Sequence, residues 1–121
     1  MASILAVDDS ATMRQMVSGT LEHAGHEVIS CDDGSDALER ARRQPVDLVL
    51  TDVNMPRMDG ITLVRELRRL SSYRFTPILM LTTESSPGKK RQGKAAGATG
   101  WIVKPFNPDQ LLTAIGRVLD R

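Results

Sequence analysis

The feature that most constrains this chain is a repeated change of apolar period. Short continuous apolar runs alternate with stretches whose apolar residues recur every three or four positions. Ile4-Leu5-Ala6-Val7 is the first run. A strand buried on both faces reads this way, because neither face needs polar side chains. Ser10 then stands where a helix cap belongs, and Met13, Met16, Val17, Leu21 and Ala24 follow at helical spacing up to Gly25, a residue suited to a left-handed helix end. His26 to Cys31 is a second strand candidate. Leu38 and Ala41 mark a short helix that must finish before Pro45. Val46 to Thr51 is the third strand, ending at Asp52. The turn-rich Val53-Asn54-Met55-Pro56-Arg57-Met58-Asp59-Gly60 follows it, then a helix from Ile61 to Leu70. Pro77 to Leu81 is the fourth strand and Gly100 to Val103 the fifth. Residues 85–97 between them form a poor helix, with Gly88, Gly93 and no large apolar residue. Asn107-Pro108-Asp109-Gln110 is a strong helix start, and Leu111, Leu112, Ile115, Val118 and Leu119 give that helix its apolar stripe.

Five buried strands alternating with five helices imply an α/β fold: a doubly wound parallel sheet with helices on both faces. The 121 residues suffice for one domain, 1–121, with nothing left for a second. The net charge of +1 and only four rings (Tyr73, Phe75, Trp101, Phe106) argue against a nucleic-acid partner. No apolar run nears the roughly 20 residues of a membrane span, and the N-terminus lacks a signal-peptide pattern. The single cysteine, Cys31, forms no internal disulfide and suits a reducing compartment. A cytoplasmic chain with no membrane partner is expected. The near-neutral total hides a split: eleven acids and five bases in residues 1–60, four acids and eleven bases thereafter.

In open parallel sheets, ligands bind outside the carboxyl ends of the strands. Asp8 and Asp9 follow the first strand, Asp52 and Asn54 the third, Thr82, Thr83 and Glu84 the fourth, and Lys104 the fifth. Singly, each of these is an ordinary helix cap, turn former or surface charge. Together, three carboxylates at one edge repel one another unless a cation offsets them. Oxygen ligands call for a hard cation, and few ligands at an exposed edge favour Mg²⁺ over Ca²⁺. A carboxylate beside Mg²⁺ and a lysine is a nucleophile toward phosphorus, with both cations neutralising the transferring group. His23, His26 and Cys31 lack metal-ligand spacing. The run Lys89, Lys90, Arg91 and Lys94 reads as a solvated face on a soft helix.

The set Val7-Asp8-Asp9, Thr51-Asp52-Val53-Asn54-Met55-Pro56, Leu81-Thr82-Thr83-Glu84 and Lys104-Pro105-Phe106 resembles the receiver domain of two-component response regulators. The CheY-like, single-domain chemotaxis type is the nearest in kind. The resemblance spans the chain. It implies a flavodoxin-like (βα)5 fold with strand order 2-1-3-4-5. It also implies that Asp52 accepts a phosphoryl group, that Asp8 and Asp9 hold Mg²⁺ (Asp8 largely through water), and that Asn54 offers the metal its backbone carbonyl. Thr82 becomes the switch hydroxyl, Lys104 the phosphoryl contact and Trp101 the aromatic that changes rotamer. Pro105 follows a bond that is commonly cis in such domains. Asn54 and Glu84 flank the path of attacking water and tune dephosphorylation. The implied partners are a CheA-like sensor histidine kinase and an effector such as a flagellar motor-switch protein, acting on a monomer. The neighbouring alternative is a phosphorelay intermediate or phosphate sink that exchanges its group with a histidine phosphotransfer protein. Two further classes fit less well. An aspartate-based phosphatase wants an acid where Asn54 stands. A flavin carrier wants a hydroxyl- and glycine-rich loop where Asp8-Asp9 stands.

Overall fold

The computed structural model describes residues 2–83 and 87–119. The elements run β1 (Ser3–Val7), α1 (Ala11–His23), β2 (Glu27–Cys31), α2 (Gly34–Arg43), β3 (Leu48–Asp52), α3 (Gly60–Arg68), a 3-10 turn (Ser71–Tyr73), β4 (Ile78–Thr82), α4 (Pro87–Ala96), β5 (Gly100–Val103) and α5 (Pro108–Leu119). All four strand pairings are parallel, and the sheet order is β2-β1-β3-β4-β5. Both the alternation and the implied 2-1-3-4-5 order are met.

The continuous apolar runs feed two cores. Successive side chains leave a strand on opposite faces. Leu5, Val7, Val49, Ile78 and Met80 point to one side, where they meet Ala37, Leu38 and Ala41 of α2, Leu63, Val64 and Leu67 of α3, and Ala96 of α4. Ile4, Ala6, Leu48, Leu50, Leu79, Leu81 and Ile102 point to the other, against Val17 and Leu21 of α1 and Leu111 and Ile115 of α5. Each fully buried leucine contributes about 1.5–3 kcal/mol, so the two layers clamp the sheet from both sides.

Helix starts follow the cap residues. Ser10 Oγ accepts from Met13 N at 3.2 Å, Asp33 Oδ1 from Asp36 N at 2.8 Å and Asp59 Oδ1 from Thr62 N at 2.7 Å. Asn107 and Gln110 exchange reciprocal side-chain to backbone bonds of 2.8 and 2.9 Å, the expected capping box. Gly25 follows α1 with φ 95°, as a left-handed helix end requires.

The sequence-based bounds differ mainly at the amino ends of the strands. β2 starts at Glu27, because His26 instead turns its Nδ1 to accept from Ala2 N at 3.1 Å. β3 starts at Leu48 rather than Val46. Asp47 is used to tie the loop to β1, its carboxylate accepting from Ser3 N at 2.8 Å. β4 is shifted by one and includes Thr82. α3 ends at Arg68, after which the 3-10 turn buries Tyr73. The expected weak helix forms over Pro87–Ala96. It lies close on the sheet, for a Cβ on Gly93 would come within 2.9 Å of Met80 Sδ.

Candidate functional site

The strands deliver their carboxyl-end residues to one rim. Asp52 is the last residue of β3, and its carbonyl is approached so closely by α3 that a Cβ on Gly60 would lie 2.0 Å from it. Only a residue without a side chain fits there. Gly60 N donates to Val53 O at 2.8 Å, closing the loop that follows the strand. Asp52 Oδ1 accepts from Val53 N at 2.9 Å and lies 3.4 Å from Lys104 Nζ.

Asp8 comes directly after β1, and its N–H donates to Cys31 O at 3.1 Å, extending the ladder with β2. Its Oδ1 accepts from Ser10 N at 2.9 Å and its Oδ2 pairs with Lys104 Nζ at 3.0 Å. Lys104 is fixed in turn by its own N–H, which donates to Thr82 O at 2.7 Å, and the Lys104–Pro105 bond is cis. One ammonium therefore stands between two buried carboxylates. Asp9 is exposed, yet one oxygen each from Asp8, Asp9 and Asp52 lies within 4.8 Å of the others.

This geometry sets the electrostatics. Burial pushes the Asp52 carboxyl above its usual range; the Lys104 ammonium pulls it back, and the Asp8 carboxylate adds to the rise. Lys104 offsets Asp8 and Asp52 directly and Arg14 adds a positive charge at the Asp8 carbonyl, while the clustered oxygens of Asp8, Asp9 and Asp52 form a cradle suited to an external cation. The donors are all oxygens, which suits a hard divalent ion such as Mg²⁺ and not a thiolate- or imidazole-loving one.

The remaining sequence candidates fall around the same rim. Thr82 is buried at the end of β4. It shares its sheet face with Met80 and with Trp101, which pairs with Met80 in register. Trp101 is half-buried, with Lys90 Nζ of α4 5.5 Å from its ring centroid. Val53, Met80, Thr82, Lys89, Lys90 and Trp101 line a slot of about 10 Å³. Asn54 is exposed one residue beyond Val53. Glu84 lies outside the described residues. Met55 and Met58 pack against the core below the loop, which gives them a structural role.

The sequence reading missed several supporting groups: the Ser10 and Val53 amides on the carboxylates, Arg14, which donates to Asp8 O at 2.6 Å, and Lys90 over Trp101. Amide donors carry no side-chain signature. The Lys90 contact crosses from helix to sheet and has no local signal. A groove of about 840 Å³ lies at the opposite rim, lined by Ala2, His26, Asp47, Phe75, Leu112 and Val118 among others. It contains none of the clustered carboxylates, so volume and chemistry point to different ends of the sheet.

Comparison with known proteins places these features in context. The family model described as the response regulator receiver domain matches residues 4–116. The chain is 37% identical over 118 residues to a chemotaxis protein CheY homolog of Campylobacter jejuni, spanning 96% of this chain and 91% of that protein. The structure of chemotaxis protein CheY4 from Vibrio cholerae is 58% identical with a TM-score of 0.96, covering 98% of this chain and 99% of that one. The receiver domain of a Pseudomonas aeruginosa sensor histidine kinase was solved with a magnesium ion coordinated in its active-site cleft. It is 29% identical with a TM-score of 0.93, over 99% of this chain and 98% of that one.

Proposed function

Since this chain belongs to the response regulator receiver family, we propose that it is a stand-alone, phosphorylation-dependent switch of the chemotaxis or motility type. Asp52 is the acceptor. Its carboxylate attacks the phosphorus of a phosphohistidine on a CheA-like sensor kinase. The new bond is oxygen to phosphorus, the broken one phosphorus to nitrogen, and the imidazole leaves as the neutral ring after taking up a proton. Val53 N–H and Lys104 hold Asp52 Oδ1, so Oδ2 is the oxygen left to attack.

Asp9 and Asp52, Asp8 through water and the Asn54 carbonyl are the groups that would hold Mg²⁺. When bound, the ion supplies positive charge to the transferring phosphoryl oxygens. Lys104 supplies the second positive charge from the opposite side of the acid pair. Thr82 donates its hydroxyl to a phosphoryl oxygen, and the slot it shares with Trp101 carries that change to β5 and α4. The altered face then binds an effector such as a flagellar motor-switch protein. Likeness to CheY proteins over nearly their full length supports the chemotaxis reading.

The observation that carries this proposal is the convergence of Asp8, Asp9 and Asp52 oxygens within 4.8 Å, with Lys104 paired to Asp8 and Asp52. The test is mass spectrometry after incubation with acetyl phosphate and Mg²⁺. Wild type should gain one phosphoryl group, and Asp52→Asn none. An equal gain in both would reassign the acceptor.

A further inference from the structure

The loop between β3 and α3 contains a residue in an unfavourable backbone conformation. Arg57 has φ 65°, and among the described residues it is the one non-glycine with positive φ. The left-handed region crowds the Cβ against the backbone; glycine enters it freely and asparagine with little cost. Backbone strain of this kind persists only where the surroundings hold it.

What holds Arg57 is a carboxylate 24 positions earlier. Its guanidinium pairs with Asp33 Oδ2. The Asp33 side chain is 6% exposed, and its other oxygen caps α2 through Asp36 N. The Asp36 amide, despite the opposing effect of burial, and the Arg57 guanidinium together keep the Asp33 carboxyl below its usual range. One buried carboxylate thus serves a helix start and a loop at once. The backbones also meet here: a Cβ on Gly34 would lie 2.6 Å from Met58 O. At its base the loop is pinned again by Gly60 against Asp52 and by the Gly60–Val53 bond. Asn54 lies between these two anchors, two residues after Asp52.

We propose that the Arg57–Asp33 pair is a strap that positions the β3–α3 loop over the acidic cradle, so that Arg57 is a positioning residue for divalent-cation uptake. The proposal rests on the cation reading given above and goes beyond it by adding a residue that touches neither the carboxylate cluster nor Lys104. The Arg57 side chain is 68% exposed, so the pair adds little to global stability and its effect falls on the loop it orders. An arginine at a position that glycine would fill without strain is explained by what the side chain reaches.

The experiment compares Arg57→Gly, Arg57→Lys and Asp33→Asn in the full chain. Asparagine still caps α2, and glycine relieves the left-handed strain, so neither variant is expected to unfold. Two readouts are taken: Mg²⁺ affinity by calorimetry, and amide hydrogen exchange of residues 53–59 in metal-free protein. Arg57→Gly should keep or raise the melting temperature while weakening Mg²⁺ binding by roughly tenfold, the usual scale for groups that orient metal ligands. Its loop amides should exchange faster even without metal. Asp33→Asn should weaken Mg²⁺ binding and speed loop exchange in the same way while also losing the stability that the ionised carboxylate gives at neutral pH. Arg57→Lys should restore part of the affinity. Wild-type affinity and wild-type exchange in both Arg57→Gly and Asp33→Asn overturn the strap. Loss of affinity in Arg57→Gly only in step with loss of its melting temperature also overturns it, as a general destabilisation. A wild-type chain that takes up no Mg²⁺ is a different result and overturns the cation reading itself.

Discussion

The two rims of one sheet treat polar groups in opposite ways. At the amino-end rim, Arg68 reaches from α3 and donates to Gly97 O at 2.9 Å, Tyr73 O at 2.6 Å and Thr76 O at 2.7 Å. Tyr73 hydroxyl donates to Ala41 O at 2.7 Å and accepts from Val46 N at 3.3 Å. Donors and acceptors there are matched within the chain, and the result is a knot joining α2, α3, α4 and the starts of β3 and β4. At the carboxyl-end rim, among the described residues, the Asp8, Asp9 and Asp52 carboxylates cluster and Lys104 pairs with Asp8 and Asp52. The first arrangement stabilises the fold by itself; the second is balanced only when something from outside is added.

Breaking the self-satisfied rim should have the largest effect on stability. Arg68→Ala removes the donor to the Gly97, Tyr73, Arg74 and Thr76 carbonyls and should cost about 3 kcal/mol in urea unfolding. The phosphoryl gain of the folded fraction should stay near the wild-type level. Tyr73→Phe removes one hydroxyl that serves the backbone groups of Ala41, Gln44 and Val46 and should cost roughly 1–2 kcal/mol in the same assay. Neither change touches the carboxylate cluster.

A pH series sharpens the comparison with the acidic rim. Burial raises the Asp52 carboxyl, so its protonation favours the folded state. Its stabilising contribution is complete below the unfolded value of about 3.9 and is lost as pH rises through the raised folded value. In metal-free buffer near neutrality, Asp52→Asn should therefore be more stable than wild type, and the gap should narrow as pH falls toward about 4. Saturating Mg²⁺ should narrow or reverse the gap at neutral pH, because the ion needs the ionised carboxylate. Asp33 has the opposite sign. Its lowered pKa, caused first by the Asp36 amide, gives stability above the unfolded value that is lost as pH falls through the folded one. Asp33→Asn should thus lie below wild type at neutral pH and converge with it only in strong acid.

The smallest effect is expected in the slot between α4 and the sheet edge. Lys90→Ala removes the cation over Trp101 and should change stability by about 0.5–1 kcal/mol or less. Indole emission should nevertheless shift, because the ring loses its charged neighbour. An unchanged spectrum would mean that the contact has no hold on the ring.

Much of this was legible in the sequence because the signals are local. A run such as Leu48-Val49-Leu50-Thr51 states its own burial, and the charged residue that ends it marks the carboxyl rim. That is why the sequence alone gathers Asp8, Asp52, Thr82 and Lys104 at one rim. The amino ends of the strands were less legible. His26 and Asp47 look like strand residues by neighbourhood, but their side chains are taken by Ala2 and Ser3 across the sheet. The Arg68 and Tyr73 knot and the Arg57–Asp33 pair were not legible at all. Arg57 reaches Asp33 across 24 positions and Tyr73 reaches Ala41 across 32, and a left-handed φ at an arginine leaves no trace in composition.

The central claim is that the acidic rim is a cation cradle, and a calorimetric Mg²⁺ titration of wild type and Asp9→Asn tests it most directly. Asp9 is exposed, so its replacement leaves the core intact. The account predicts one ion per wild-type chain and an affinity lower by roughly tenfold or more in the variant. No uptake by wild type, or equal uptake by both chains, would contradict it.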